Sequence, residues 1–171
     1  MSDIAYHEAF SETERRAQAR WGDPAIWDAG RRARLLWDRI PDQYHARLEA
    51  APFFFLATAD RRGRCDCSFK GGGPGLVRIL DDRRLAFPDF DGNQAFMSLG
   101  NILDNPGVGL LFIDFSDGAR LRVNGRATIH DSGEAMDWFN GAGRVVEVVV
   151  DQVVPNCAAH IPRMVPAEES K

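Results

Sequence analysis

The chain has 171 residues, of which 44% are hydrophobic and 27% are charged, and its net charge is −4. This length suits one domain that buries roughly 70% of its unfolded surface, and the composition excludes wholesale disorder. The negative charge disfavours binding to nucleic acids or to an anionic membrane, and no apolar run approaches the ~20 residues of a membrane span. Of the 21 basic residues, all but Lys70 and Lys171 are arginine.

The N-terminal residues and the cysteines bear on cellular location. The first residues lack the basic stretch and apolar run of a secretory signal, and the three cysteines include no CxxC pair. Both features indicate a reduced cytoplasmic protein with free thiols. Cys65, Cys67 and Cys157 could in principle surround a metal ion, but cysteine is also a common core residue, so we predict no metal site.

Residues 1–50 are predicted to form a helical extension. Ser11 and Glu14 have the spacing of a capping box, and Gly22 would end the helix that they begin. A second helix is expected from Asp23, with apolar positions at Ile26, Trp27, Leu35, Leu36 and Ile40. This segment holds nine acidic residues against eight arginines, which favours a solvated helix or a partner-facing arm over a nucleic-acid surface.

Four short strands are predicted after Pro52, at residues 53–58, 65–70, 76–80 and 84–87. The first is a nearly continuous apolar run, which is typical of a buried strand. The second alternates, so that one face carries Cys65, Cys67 and Phe69 and the other carries Asp66, Ser68 and Lys70.

A helix is predicted next, at residues 93–105, with one face formed by Ala95, Phe96, Leu99, Ile102 and Leu103. Two strands (108–115 and 120–129), a short helix (132–140) and a β-branched strand (144–154) follow. The connections are too short for parallel crossovers. We therefore predict one mostly antiparallel β-barrel domain over residues 51–165, with a flexible tail at 166–171.

Ser68 and Lys70 are the first candidate ligand-binding residues. They share a strand face just before a cluster of glycines that begins at Gly71. A hydroxyl and an ammonium group there could hold an anion or the carbonyl edge of a ring, and glycines allow a ligand to approach the backbone closely. A flexible hairpin loop with a surface lysine is the alternative.

A second candidate site follows the fourth strand. Pro88 removes a hydrogen-bond donor, so it marks a strand end or an edge. Asp89 and Asn93 then lead into the predicted helix, whose N-terminal amide groups would suit a phosphate, although simple helix capping explains the same residues. A third candidate is the polar face of the 120–129 strand, which could bind phosphate or carboxylate or pair with the protein's own carboxylates: Arg120, Arg122, Asn124 and Arg126.

Taken in order, these motifs resemble the FMN-binding split barrel of pyridoxamine 5′-phosphate oxidase-like proteins. The resemblance covers about residues 50–130 and runs through ATAD, SFKGG, LAFPDFDGN, SLGNILDNPGVGLLF and LRVNGRA. The N-terminal helices resemble the extension that one branch of that family carries. The resemblance implies a mostly β (α+β) fold with a six-stranded antiparallel split barrel and flanking helices.

The resemblance also implies a homodimer with FMN held in two clefts at the dimer interface. The residues that it would place near the isoalloxazine, the ribityl chain or the phosphate are Ser68, Lys70, Gly71, Pro88, Asp89, Asn93 and Ser98, with Asn101 and Arg122 as further contacts. Flavin chemistry then implies an oxidoreductase that transfers electrons through flavin N5 to or from a small molecule or NAD(P)H.

One departure limits how far the family's activity carries over. True pyridoxamine phosphate oxidases end in a segment that bears Trp and Arg, whereas here the last tryptophan is Trp138 and the tail carries only Arg163. We therefore expect no true pyridoxamine phosphate oxidase activity. Two alternatives stay open: a flavin-binding protein without turnover, acting as a sensor, carrier or store, and a split barrel that binds F420 or haem.

Overall fold

The computed structural model describes residues 6–156 and 158–164. In this part of the chain the α-helices are α1 (Tyr6–Ala9), α2 (Glu12–Trp21), α3 (Ala29–Leu35), α4 (Asp42–Glu49) and α5 (Met97–Asp104), with 3-10 turns at Pro24–Trp27 and Glu134–Trp138. The strands are β1 (Phe53–Ala59), β2 (Cys65–Gly71), β3 (Arg78–Asp81), β4 (Arg84–Asp89), β5 (Gly107–Ile113), β6 (Arg120–His130) and β7 (Arg144–Asn156).

All the strands belong to one antiparallel sheet with the order β2-β1-β5-β6-β7-β4-β3. The sheet curls around a single core, because Phe54 of β1 and Phe87 of β4 meet with their ring centroids 5.0 Å apart although their strands are not neighbours. Both side chains are fully buried. The mostly antiparallel barrel predicted from the sequence is therefore confirmed. Seven strands stand where the resemblance implied six, and the short edge strand β3 is only four residues long.

The helical extension forms largely for the local reasons that the sequence indicates. Ser11 and Glu14 make both bonds of the capping box, at 3.2 and 2.7 Å, and Gly22 caps the end of α2. The prediction of one continuous second helix is wrong. The segment divides into a 3-10 turn and α3 because the Asp28 carboxylate accepts a hydrogen bond from the Arg31 amide, 2.7 Å away, and so starts a new helix.

The extension contacts β7 beyond the part of that strand that pairs with β4. Trp37 and Val153 exchange two backbone hydrogen bonds, of 3.1 and 2.7 Å. A small apolar cluster of Ala9, Leu36 and Val154 adds to this contact. The domain limits at residues 50 and 165 stay predictions, and the predicted flexible tail at 166–171 lies outside the described residues. None of the described helices combines the length and apolar character needed to cross a membrane.

The bend of the barrel between β6 and β7 depends on Gly125. The pairing register between the two strands shifts between Asn124 and Gly125, which is a β-bulge. A Cβ atom at Gly125 would collide with the Val149 carbonyl oxygen. The glycine therefore allows the two strands to approach closely at the bulge.

Helix α5 begins at Met97, four residues later than the sequence predicts. Gln94 and Phe96 adopt left-handed backbone conformations, with φ of 60° and 49°, so residues 93–96 form an irregular connection. The predicted apolar face is correct for Leu99, which is buried, but Phe96 is 47% exposed. Asn93 therefore lies in the connection and not at the N-terminus of the helix.

Candidate functional site

A cleft of about 210 Å³ opens between β2, the end of β4 and the connection that leads into α5. We call it the α5 cleft, and its lining residues are Asp66, Ser68, Lys70, Asp89, Phe90 and residues 92–99. The alternation of β2 turns Asp66, Ser68 and Lys70 towards this cleft, while the other side of the strand is exposed.

Two hydroxyl groups and a carboxylate form a chain across the cleft. Ser98 Oγ lies 2.7 Å from Asp66 Oδ2 and 2.9 Å from Ser68 Oγ. An ionised carboxylate can only accept, so Ser98 donates to Asp66 and accepts from Ser68. Both hydroxyl hydrogens are then used within the chain, which leaves oxygen lone pairs to receive donors from a ligand.

A cluster of opposite charges lies beside this chain. Asp89, whose side chain is only 10% exposed, accepts from Lys70 Nζ at 3.4 Å and from Arg144 Nε at 3.0 Å. Arg144 also reaches Asp91, at 3.3 Å, and lies 5.0 Å from the centre of the Phe96 ring. Hydrogen bonding to Asp89 raises the pKa of Arg144 above its usual value. Two cations are thus held at one side of the cleft.

The connection into α5 supplies backbone donors. Phe96 occupies the N-cap position of α5 without a side-chain hydrogen bond to the helix. The first amide groups of α5, at residues 97–99, therefore lack a side-chain cap. A left-handed backbone conformation costs energy in residues other than glycine, and such conformations concentrate at ligand sites. Gln94 and Phe96, which both adopt it, line the α5 cleft.

The family of the chain follows from a comparison of its sequence with family models. Residues 40–160 match the model described as pyridoxamine 5′-phosphate oxidase, which covers well over half of the chain. The chain belongs to the pyridoxamine 5′-phosphate oxidase family. The family recognised from the sequence motifs is therefore confirmed. A comparison with curated proteins gives no match.

Solved structures support the same fold. HupZ of Group A Streptococcus aligns with a TM-score of 0.52 at 20% identity, over 67% of this chain and 92% of that chain. A Lactobacillus delbrueckii protein named for its likeness to pyridoxamine 5′-phosphate oxidase aligns with a TM-score of 0.55 at 20% identity, over 68% and 94%. Rv2991 of Mycobacterium tuberculosis gives 0.50 at 16% identity, over 78% and 97%. At these identities the likeness establishes the split-barrel fold alone.

Five of the nine site residues named from the sequence line the α5 cleft: Ser68, Lys70, Asp89, Asn93 and Ser98. The other four lie elsewhere. Gly71 is exposed at the end of β2, and Pro88 is buried in β4, where β3 no longer pairs with it. Asn101 is turned towards β1, where it donates to Thr58 Oγ1 at 3.0 Å, and Arg122 is exposed on β6.

Sequence reasoning missed Asp66, Phe96 and Arg144 as parts of this site. The strand alternation already placed Asp66 on the face of Ser68 and Lys70, so that signal was present. Nothing in the sequence points from Arg144 to Asp89, because they meet only where β7 pairs with β4. Within the described residues no group of three His, Cys, Asp or Glu side chains is arranged to hold a metal ion, and Cys157 lies outside them.

Proposed function

We propose that the protein binds FMN in the α5 cleft and acts as an oxidoreductase on a small molecule or with NAD(P)H. The observation that carries the proposal is the Ser68–Ser98–Asp66 chain in the α5 cleft, beside the Lys70 and Arg144 cations that both pair with Asp89, in a chain of this family. When bound, FMN supplies electron transfer through its N5 atom. The cytoplasm is the location we predict.

The residues that line the cleft fit the parts of FMN. The hydroxyl oxygens of Ser68 and Ser98 can accept hydrogen bonds from ribityl hydroxyl groups. The first amide groups of α5 and the Arg144 guanidinium suit a phosphate. Met97, which is 62% exposed at the cleft, offers apolar surface to a flat ring.

Lys70 is the residue that we assign to the reactive end of the flavin. Its side chain is 21% exposed, so part of the ammonium group stays accessible beside Asp89. A positive charge near the N1 and O2 edge of the ring favours the anionic reduced form. Lys70 would therefore raise the reduction potential of the flavin.

The size of the α5 cleft supports a site shared between two copies of the chain. Its volume of about 210 Å³ lies below the roughly 300–1,000 Å³ of sites that enclose a drug-sized ligand. An apolar patch that includes Phe55 and Phe69 lies on the opposite face of β1 and β2, with Phe69 62% exposed. We propose that this patch meets its counterpart in a homodimer.

The dimer gives a role to Arg122. Its exposed side chain lies on β6 and does not line the α5 cleft of its own protomer. In a homodimer, Arg122 would contact the FMN bound by the partner copy. Gly71, at the exposed end of β2, would contribute by allowing the ring to approach the backbone.

Haem fits the cleft poorly. Among the described residues that line it, none is a histidine or a cysteine, the side chains that usually hold haem iron. F420 in place of FMN, and a flavin carrier or sensor without turnover, are distinguished by the experiment that follows.

The absorbance spectrum of the purified full-length protein tests the proposal. We expect the bands of oxidised flavin, their loss under anaerobic NADH or NADPH, and their return with an electron acceptor. A Soret band, the single visible band of F420 in place of the two bands of oxidised flavin, or a colourless protein that takes up no FMN would contradict the cofactor assignment. Flavin that no reductant bleaches would contradict the oxidoreductase and favour the carrier.

A further inference from the structure

A second cavity lies apart from the α5 cleft, and its volume is about 520 Å³. We call it the α4 cavity. Its lining comes from the last turns of α4, residues 50–52, the first residue of β1, the end of β5, residues 114–116 and 119–121, and Met164. It shares no lining residue with the α5 cleft, and its volume falls within the roughly 300–1,000 Å³ typical of small-molecule sites.

The walls of the α4 cavity are apolar and aromatic. Leu48, Phe112 and Leu121 of the barrel core form part of its lining and are at most 6% exposed. Phe53 and Phe115 also line it, and their rings are nearly parallel, with an interplanar angle of 25° and centroids 6.2 Å apart. Such walls favour a flat apolar body that packs against aromatic rings.

The charges at the rim neutralise one another. Arg47 NH2 lies 2.9 Å from Asp114 Oδ2 and 2.6 Å from Asp117 Oδ2. Hydrogen bonding to Asp117 raises the pKa of Arg47, and the pKa values of both carboxyl groups are lowered, so all three stay ionised. Arg120, the other cation on the lining, is also engaged. The two cations, Arg47 and Arg120, and the two carboxylates, Asp114 and Asp117, together carry no net charge.

The C-terminal segment gives this cavity an adaptable side. The Met164 amide donates a hydrogen bond to the Phe115 carbonyl at 3.1 Å, and the Arg163 guanidinium donates one to the Ser116 carbonyl at 3.0 Å. The Met164 side chain is 53% exposed. A flexible thioether at the edge of an aromatic cavity adjusts to different ring shapes.

We propose that the α4 cavity binds an uncharged aromatic small molecule, at a site separate from the α5 cleft. The cavity volume indicates a small molecule, and the aromatic walls favour a flat apolar ring. The absence of net charge among the named rim residues favours an uncharged ligand. This proposal is independent of whether the α5 cleft holds FMN.

Fluorescence titration with N-phenylnaphthylamine, an uncharged aromatic probe, tests the proposal in the full-length protein. We expect saturable binding with one site per chain that persists when FMN is in excess. The sulfonated analogue, anilinonaphthalene sulfonate, should bind more weakly. Absence of saturable binding, displacement of the neutral probe by FMN, or tighter binding of the sulfonated analogue would overturn the proposal.

A pair of matched variants locates the probe. Ala119 is half-buried on the lining of the α4 cavity, and Ala95 lines the α5 cleft. Ala119→Leu fills part of the cavity and should weaken probe binding about tenfold. Ala95→Leu makes the same change in the other site and should leave the probe affinity unchanged. With thermal unfolding showing that both variants are folded, equal affinities for the two would contradict the assignment.

Discussion

The α5 cleft and the α4 cavity are adjacent along the β1–β2 pair, where Phe53 lies opposite Gly71 and Phe54 opposite Lys70, yet their chemistry is opposite. The α5 cleft is small, and it gathers carboxylates, hydroxyls and two cations. The α4 cavity has about 520 Å³, and its lining is mostly apolar. One strand pair thus separates a site suited to a charged cofactor from a site suited to an uncharged ring.

The two sites differ in how completely their cations are paired with carboxylates. In the α5 cleft, Lys70 pairs with one carboxylate among the described residues, at 3.4 Å, and shares it with Arg144. At the α4 cavity, Arg47 has two carboxylates within 2.9 Å. A cation that is incompletely paired attracts an anionic ligand, whereas the charge of a cation paired with two carboxylates is already compensated within the protein. Substitutions at these cations should therefore affect FMN very differently.

The largest effect is expected at Lys70. Lys70→Ala should weaken FMN binding about 10- to 100-fold, because a hydrogen bond to a charged group contributes roughly 1.5–3 kcal/mol. The flavin reduction potential should also fall, and both quantities can be measured by titration. Asp89 keeps Arg144 as a partner, so the variant should fold. Arg62→Ala, at an exposed position of the β1–β2 turn, is the matched control.

An unchanged FMN affinity together with an unchanged potential in Lys70→Ala would contradict the role assigned to Lys70. Lys70→Arg should recover part of both, because it restores the positive charge with a different shape.

The next effect is expected on stability, at Ser98. Ser98→Ala leaves Asp66 without its 2.7 Å donor in a site where Ser98 is 6% exposed. We expect the free energy of unfolding, measured with urea, to fall by about 1–3 kcal/mol. Ser116→Ala removes a comparable hydroxyl–carboxylate bond at the rim of the α4 cavity, where Ser116 is exposed, and should cost less. Equal losses would contradict the buried role of the Ser98 chain.

A smaller effect on binding is expected at Arg144. Arg144→Lys removes the planar group that contacts Asp89, Asp91 and Phe96 together. Residues 90–96 should become more susceptible to proteolysis, and FMN affinity should fall severalfold. Arg20→Lys changes an arginine that stacks on a tryptophan in the exposed helix α2, and it should alter neither property. If Arg144→Lys behaves like Arg20→Lys, Arg144 does not hold the cleft.

The smallest effect is expected at Arg47, and it depends on pH. The pKa of Asp114 is lowered by its hydrogen bonds to Ser116 and Arg47, and that of Asp117 by its bond to Arg47. A lowered carboxyl pKa contributes stability that is complete above the usual 3.8 and is lost as the pH falls through the folded value. Arg47→Met should therefore lower the urea midpoint slightly at neutral pH, and the difference from the unchanged protein should shrink below pH ~4.

FMN affinity should be the same in Arg47→Met and the unchanged protein. A difference in midpoint that stays constant down to acid pH would contradict the ion-pair explanation, and a loss of FMN affinity would contradict the separation of the two sites.

Five residues of the α5 cleft could be predicted because they lie in short sequence motifs. The alternation of residues 65–70 fixed which side chains of β2 share a face, the strand end at Pro88 added Asp89 and Asn93, and the family motifs added Ser98. What failed was the helix start at Asn93, because periodicity does not detect left-handed residues such as Gln94. Arg144 was missed because its partner is brought near only by the β4–β7 pairing.

The α4 cavity could not be predicted from the sequence. Its lining comes from α4, residues 50–52, β1, β5, residues 114–116 and 119–121, and Met164, and each segment contributes ordinary apolar residues. Leu48 and Phe112 have the periodicity of core positions, and both are indeed buried. A cavity is a space that packing leaves between such residues, and no pattern within one segment reports it.

Sedimentation equilibrium of the full-length protein with FMN, followed at the visible absorbance of flavin, tests the central claim most directly. The claim is that FMN binds in the α5 cleft of each chain within a homodimer. We predict that flavin sediments with a mass of about twice the 19.0 kDa of one chain, at one FMN per chain. Flavin that stays free, or that sediments with a single chain, would contradict it.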